Sequence, residues 1–297
     1  MKSERWWISR SALVGAALAA LAMIWGLIAD AQVLIYDGIV SLLDVAMSGL
    51  ALFAAGTAAS PPDPRYPFGR EAITPLVIGA QGAALAGSSV YAMLSATLTI
   101  LHGGNTPDAA AGIAFAAFNA LAVLATSWWL LRARPATDLV RAEAAAWRAA
   151  IPRTVGILAG FTVLLLLDGT DWHQAMPYID PAMVIAACAL TLPTAVRLIR
   201  ISLAELLERA PDEAVQAPVR DAVTSVARRT GLTDVDLRVT KLGAKLYVEV
   251  NATAPAGGIS LAQIDAARRE LRAALTRPER RLWLNVEVHT RADYLLP

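Results

Sequence analysis

Val33-Leu34-Ile35-Tyr36-Asp37-Gly38-Ile39-Val40-Ser41-Leu42-Leu43-Asp44 opens an apolar stretch over residues 33–57 and sets two aspartates inside it. The stretch is longer than the roughly 20 residues a membrane-spanning helix needs. A carboxylate in hydrocarbon costs on the order of 3 kcal/mol by insertion scales, so intramembrane acids face a protein interior or a water-filled cavity and mark ion paths. Seven residues at roughly 100° each return to within about 20° of the start. Asp37 and Asp44 therefore share one helix face, about 10 Å apart along the axis. The alternative is a structural pair, neutralised by arginines or protonated.

Five further apolar segments flank this one, giving spans near residues 12–29, 33–57, 73–101, 109–131, 139–167 and 178–199. Glu143, Arg148 and Arg153 interrupt the first half of the fifth. The 297 residues are 56% hydrophobic and 17% charged, with mean hydropathy +0.49. A soluble domain carries about a quarter charged residues. Charges are sparse up to Leu203 and dense after it. The expected division is a six-helix membrane domain over 1–209 and a water-soluble domain over 210–297. A net charge of +1 gives no electrostatic case for nucleic acid. The single cysteine, Cys188, excludes an internal disulfide and a cysteine-cluster metal site, and reads as a packing residue.

Basic residues mark alternate connections. Lys2, Arg5 and Arg10 precede the first span, and Arg65 and Arg70 follow the second. Arg132, Arg134 and Arg141 surround the fourth-to-fifth junction, and Arg197, Arg200 and Arg209 close the sixth. The opposite connections hold Asp30, His102, Asp108, Asp168, Asp171 and His173, with no Lys or Arg. Both termini are then expected in the cytoplasm, in the plasma (inner) membrane of a cell. Trp6, Trp7, Trp128 and Trp129 fall where interfacial aromatic anchors belong. The N-terminal run resembles a signal peptide ending at Ala29-Asp30-Ala31, but its apolar core exceeds the usual 7–15 residues or so.

In the tail, apolar residues at helical spacing over 212–229 stop at Gly231. Val235, Leu237 and Val239 alternate with polar residues, and so do Leu246, Val248 and Val250. With a turn at Leu242-Gly243-Ala244 between them, these read as a hairpin. Ser260 and Gln263 form a capping box opening a helix that Pro278 ends. Leu284, Val286 and Val288 lie on a last strand reaching His289. The order α-β-β-α-β is a ferredoxin-like α+β layer. It holds no phosphate loop, nucleophile–base pair or cofactor motif. It reads as a regulatory or dimerising module rather than an enzyme, and the spans carry no intramembrane protease signature.

The residues 37–44 resemble the second-span motif of the cation diffusion facilitator family of metal-ion/proton antiporters. Pro62-Asp63-Pro64-Arg65-Tyr66-Pro67-Phe68-Gly69 resembles its following loop, and Asp180-Pro181 the opening of its sixth span. Leu203-Ala204-Glu205-Leu206-Leu207-Glu208-Arg209-Ala210-Pro211 resembles its linker to the cytoplasmic domain. The resemblance covers nearly the whole chain. It implies a homodimer in the lipid bilayer, joined through the cytoplasmic domain, that exports divalent cations against protons. It also implies a tetrahedral site made by an i, i+4 ligand pair on each of the second and fifth spans. Here the four positions fall on Val40, Asp44, Ala146 and Ala150, so Asp44 alone matches as a metal ligand. The loop's histidine positions fall on Tyr66 and Arg70 beside a retained Asp63, and those of the tail near Val235 and Asn251, leaving His289.

Neither the second nor the fifth span keeps histidine or cysteine. Zinc favours nitrogen and sulfur ligands, whereas carboxylates suit Mg, Mn and Ca. Zinc is therefore disfavoured as the cargo, and no cofactor is implied. Antiparallel packing of the second and fifth spans places Asp37 near the depth of Arg153, and Glu143 on the cytoplasmic side of Asp44. Asp37, Asp44 and Glu143 are the expected cation pathway, with Arg148 and Arg153 as charge partners. The competing expectation is a scaffold or sensor with this fold and no flux. Reporter fusions after Arg70, Arg134 and Pro297 should read cytoplasmic and one at Gly104 external. A cytoplasmic signal at Gly104 would overturn the six-span topology.

Overall fold

A computed structural model describes residues 4–132, 138–167, 170, 173–277 and 281–291. Lys2, Arg134, Asp168, Asp171 and Pro278, which carry parts of the topology and helix-stop expectations, lie outside the described residues. The helices in order are α1 (Glu4–Ile28), α2 (Gln32–Ala58), α3 (Ile73–Leu101), α4 (Ala109–Leu131), α5 (Asp138–Ala149), α6 (Ile151–Leu167) and α7 (Met176–Leu206). The tail follows as α8 (Glu213–Thr230), β1 (Thr233–Leu242), β2 (Lys245–Thr253), α9 (Leu261–Leu275) and β3 (Arg281–His289). Among the described residues, six helical stretches are long and apolar enough to cross a membrane, and the expected six-span architecture stands.

The fifth expected span, residues 139–167, is two helices rather than one. α5 stops at Ala149, Ala150 is a turn residue, and α6 starts at Ile151. Pro152 supplies the reason: it has no N–H to continue the ladder and disfavours the helical conformation at the residue before it. The Ala150 N–H is shared between the carbonyls of Ala146 (3.2 Å) and Trp147 (3.3 Å). Despite Arg148 and Arg153 on either side of the break, residues Glu143–Leu167 together are long and apolar enough to make one span. The sixth span is longer than its expected 178–199, running over Met176–Leu206 with Pro181 and Pro193 inside it.

The chain forms two compact units, one from Met1–Leu50 and Ala80–Leu198, the other from Ala51–Gly79 and Ile199–Pro297. The first has a core centred on Leu34, Phe161, Leu164, Val184 and Cys188, all fully or nearly fully buried. Gly38 is required there. A β-carbon on it would sit 2.9 Å from the Ala19 carbonyl oxygen and 2.6 Å from Met23 Cγ, so its absence lets α1 lie directly on α2.

In the second unit, β1 pairs antiparallel with β2, and β2 parallel with β3, in the order β1-β2-β3. The hairpin turn is tighter than the expected three residues. Leu242 already pairs with Lys245, and Gly243 takes a positive φ of 58°. β1 begins irregularly between Thr233 and Asp236, which leaves Val235 exposed despite its alternating pattern. Leu246, Val248 and Val250 face α8 through Val219, Val223 and Val226, and α9 through Ala267 and Leu271. Gly231 ends α8 in the left-handed conformation, and the Ser260–Gln263 capping box opens α9. Lys245, 7% exposed, donates to the Phe68 carbonyl at 2.8 Å and lies 4.8 Å from the ring centres of both Tyr247 and Trp283. Burial pushes the Tyr247 phenol up, with the charges of Glu71 and Glu208 adding to it, so Tyr247 stays neutral beside that lysine.

Leu271→Ala should destabilise this tail by about 2–5 kcal/mol, the range for emptying a buried leucine site. Pulse proteolysis across a urea series reads it as a lower midpoint. An unchanged midpoint would place Leu271 outside the core.

Candidate cation site

α2 carries both aspartates, and they meet different surroundings. Asp37 is 4% exposed, whereas Asp44 is exposed. Arg153, near the start of α6, reaches α2 from the neighbouring span. Its Nε lies 3.1 Å from Asp37 Oδ1, and its NH2 group donates to Ser41 Oγ at 3.1 Å. Arg153 is also within coulombic range of Asp44. The guanidinium thus bridges Asp37 and the Ser41 hydroxyl one turn along the helix. Burying a carboxylate without a partner costs several kcal/mol. That cost is offset at Asp37 by Arg153, which remains partly exposed at 32%.

Glu143 lies in another cluster. Its Oε1 accepts from Ser11 Oγ of α1 at 2.6 Å and from Trp147 Nε1 at 3.3 Å, and Trp147 Nε1 also donates to Ser11 Oγ at 2.6 Å. Ser11 is fully buried. This ties the half-buried Glu143 to α1. Arg148 is exposed and has no carboxylate partner among the described residues. The geometry therefore brings Arg153 to Asp37 and Ser41, and leaves Glu143 hydrogen-bonded elsewhere. Nothing in the sequence marked Ser11, a serine inside an apolar helix.

At the remaining positions of the expected tetrahedral set, Val40 is buried at 7%, Ala146 is exposed and Ala150 sits at the break between α5 and α6. None bears a ligand atom. Among the described residues, no group of three or more His, Cys, Asp and Glu side chains is placed to hold a metal ion. In the loop after α2, Asp63 Oδ1 accepts the backbone N–H groups of Arg65 (2.8 Å) and Tyr66 (2.9 Å). Its other oxygen is paired with Arg70, whose guanidinium stacks 4.4 Å from the Tyr66 ring centre. A cationic side chain closes that loop. His289 stands 3.8 Å from Glu287 on β3.

A second buried acid holds the other end of α2. Asp180 of α7 is fully buried and accepts the N–H groups of Gln32 (2.8 Å) and Val33 (3.1 Å), together with Asn105 Nδ2 (2.9 Å). These are orphan donors of a helix first turn, so Asp180 caps α2 from another helix. Asn105 also donates to the Asp30 carbonyl at 2.8 Å. Asp180 and Arg153 therefore fix both the start of α2 and the face that carries Asp37 and Asp44.

The cation efflux transmembrane domain matches residues 8–207. The chain belongs to the cation efflux family. The Bacillus subtilis (strain 168) manganese efflux system protein MneP is similar to it, with 34% identity over 116 residues. That match covers 36% of this chain, and the chain spans 38% of MneP's length. Members of a cation efflux family are transporters rather than enzymes. Arg153→Gln should lower thermal stability in detergent by on the order of 3 kcal/mol, because it strands a buried carboxylate. Adding Asp37→Asn should recover most of that loss. Additive losses in the double variant would show that the pair does not form.

Proposed function

We propose that this protein exports a hard divalent cation across the plasma membrane, with protons moving the other way. The observation that carries the reading is the pair of unlike aspartates on one face of α2: Asp37 is held by Arg153, and Asp44 is accessible. About 10 Å of axial separation keeps the two carboxylates from chelating one ion, so they act as successive posts. Asp44 meets the cation. Arg153 lies within coulombic range and opposes tight binding, which favours release. Glu143 serves as a third carboxylate on the path, with Arg148 as its charge partner. Oxygen donors alone favour Mg, Mn and Ca over zinc. The manganese-efflux name of the similar protein supports placing Mn2+ first among these. In this reading, residues 1–209 form the transport domain. Residues 210–297 form a cytoplasmic regulatory and dimerising domain, and both termini are cytoplasmic.

The Asp37–Arg153 pair also favours one other reading, a protein of this fold in which the path is closed and no ion moves. Proteoliposomes carrying a pH gradient and loaded in turn with Mn2+, Mg2+, Ca2+, Zn2+ or an organic cation separate the two. Wild type should move Mn2+ or another hard cation, dependent on the gradient. Asp44→Asn should slow it at least about tenfold, the factor given by some 1.4 kcal/mol of lost interaction. Asp37→Asn and Glu143→Gln should reduce it less. Absence of flux for every cation would favour the closed reading, and wild-type rates in Asp44→Asn would make that carboxylate structural.

A further inference from the structure

One end of the helical bundle, where α1 starts and α4 stops, is built from tryptophan. The ring centres of Trp7 and Trp129 are 4.6 Å apart, and those of Trp6 and Trp129 5.9 Å. Beside them is a cavity of about 350 Å³ lined by Trp6, Arg10, Val14, Ala125, Thr126 and Trp129. Val14, Ala125 and the two indoles make its lining mostly apolar, and Arg10 is the one charged residue among the described residues lining it. Arg10 lies 5.3 Å over the Trp6 ring and has no carboxylate partner among the described residues. At the same end, Arg132 closes α4 and lies 3.5 Å over the Trp128 ring, again with no carboxylate partner among them.

An arginine stacked on an indole keeps the N–H edge of its fork available, and that edge matches a phosphate. Two such arginines at the interfacial end of membrane-spanning helices repel a cationic guest and attract an anionic one. The apolar cavity adds a second requirement, since a soluble inorganic anion leaves it unfilled. A guest with a phosphate and a hydrocarbon chain satisfies both. We propose that this cavity binds one anionic phospholipid from the surrounding bilayer. Its phosphate lies on Arg10, a segment of acyl chain lies against Val14, Ala125 and Trp129, and Arg132 adds attraction to the headgroup.

The site is independent of the α2–α6 face and of the identity of the cargo. The probes are phosphatidylglycerol and phosphatidylcholine with matched acyl chains. Full-length protein is reconstituted in mixed vesicles, extracted in mild detergent and weighed intact by native mass spectrometry. Brominated versions of each lipid report contact through quenching of tryptophan fluorescence. Wild type should retain one phosphatidylglycerol per chain in preference to phosphatidylcholine. Arg10→Gln with Arg132→Gln should lower that preference at least about fivefold, from the loss of two interfacial charges. Ala125→Phe fills the cavity with the charges intact, and should lose the retained lipid. Circular dichroism melting identical to wild type excludes misfolding in each variant. Equal retention of the two lipids by wild type, an unchanged preference in the double arginine variant, or a retained lipid in Ala125→Phe would each overturn the proposal.

Discussion

A buried carboxylate in a membrane helix must be answered by a charge or a proton, and here Arg153 answers Asp37 at 3.1 Å. Much of the first unit is arranged around that need. Gly38 brings α1 onto α2 beside Asp37, and the Pro152 break between α5 and α6 comes just before Arg153. The cap from Asp180 fixes the start of the same helix at Gln32 and Val33. If this face carries the cation as proposed, a positive side chain on it changes the chemistry it performs. In this structure it pairs with Asp37 and leaves Asp44 as the exposed carboxylate.

The fold was legible because its signals are local. Apolar runs of spanning length gave the six helices, and alternation with Gly231, Gly243 and the Ser260–Gln263 box gave the tail. Pro152 was also present to mark the break in the fifth span, but the apolar runs on both sides read as one segment of spanning length. The site was less legible because its geometry is not local. Depth along antiparallel spans brings Arg153 toward Asp37, but no spacing rule selects Ser41 as its second partner. Nor does any rule tie Glu143 to Ser11, 132 positions earlier in the chain. Asp180 carried a family signal without a role. Its part as a cap emerges only when the first turn of α2 lies against α7.

Charged side chains also hold the second unit together. Arg70 pairs with Asp63 and stacks on Tyr66, and Lys245 sits between the Phe68 carbonyl and the rings of Tyr247 and Trp283. Arg70 stands at one of the loop positions where the family resemblance implies a metal-binding histidine, and it pairs with Asp63 there. In the proposed reading the candidate ligand atoms, on Asp37, Asp44 and Glu143, are carboxylate oxygens, which would suit a hard cation held weakly and released readily.

In the proposed reading this face carries one accessible carboxylate and a built-in cation rather than a tetrahedral metal site. Equilibrium zinc titration of the purified protein tests it most directly, using wild type, the triple variant Val40→His, Ala146→His and Ala150→Asp, and each with Asp44→Ala added. Wild type should show no stoichiometric zinc binding in its membrane helices, and the triple variant should gain a site that Asp44→Ala removes. One zinc per protomer in wild type, lost in Asp44→Ala, would contradict the account.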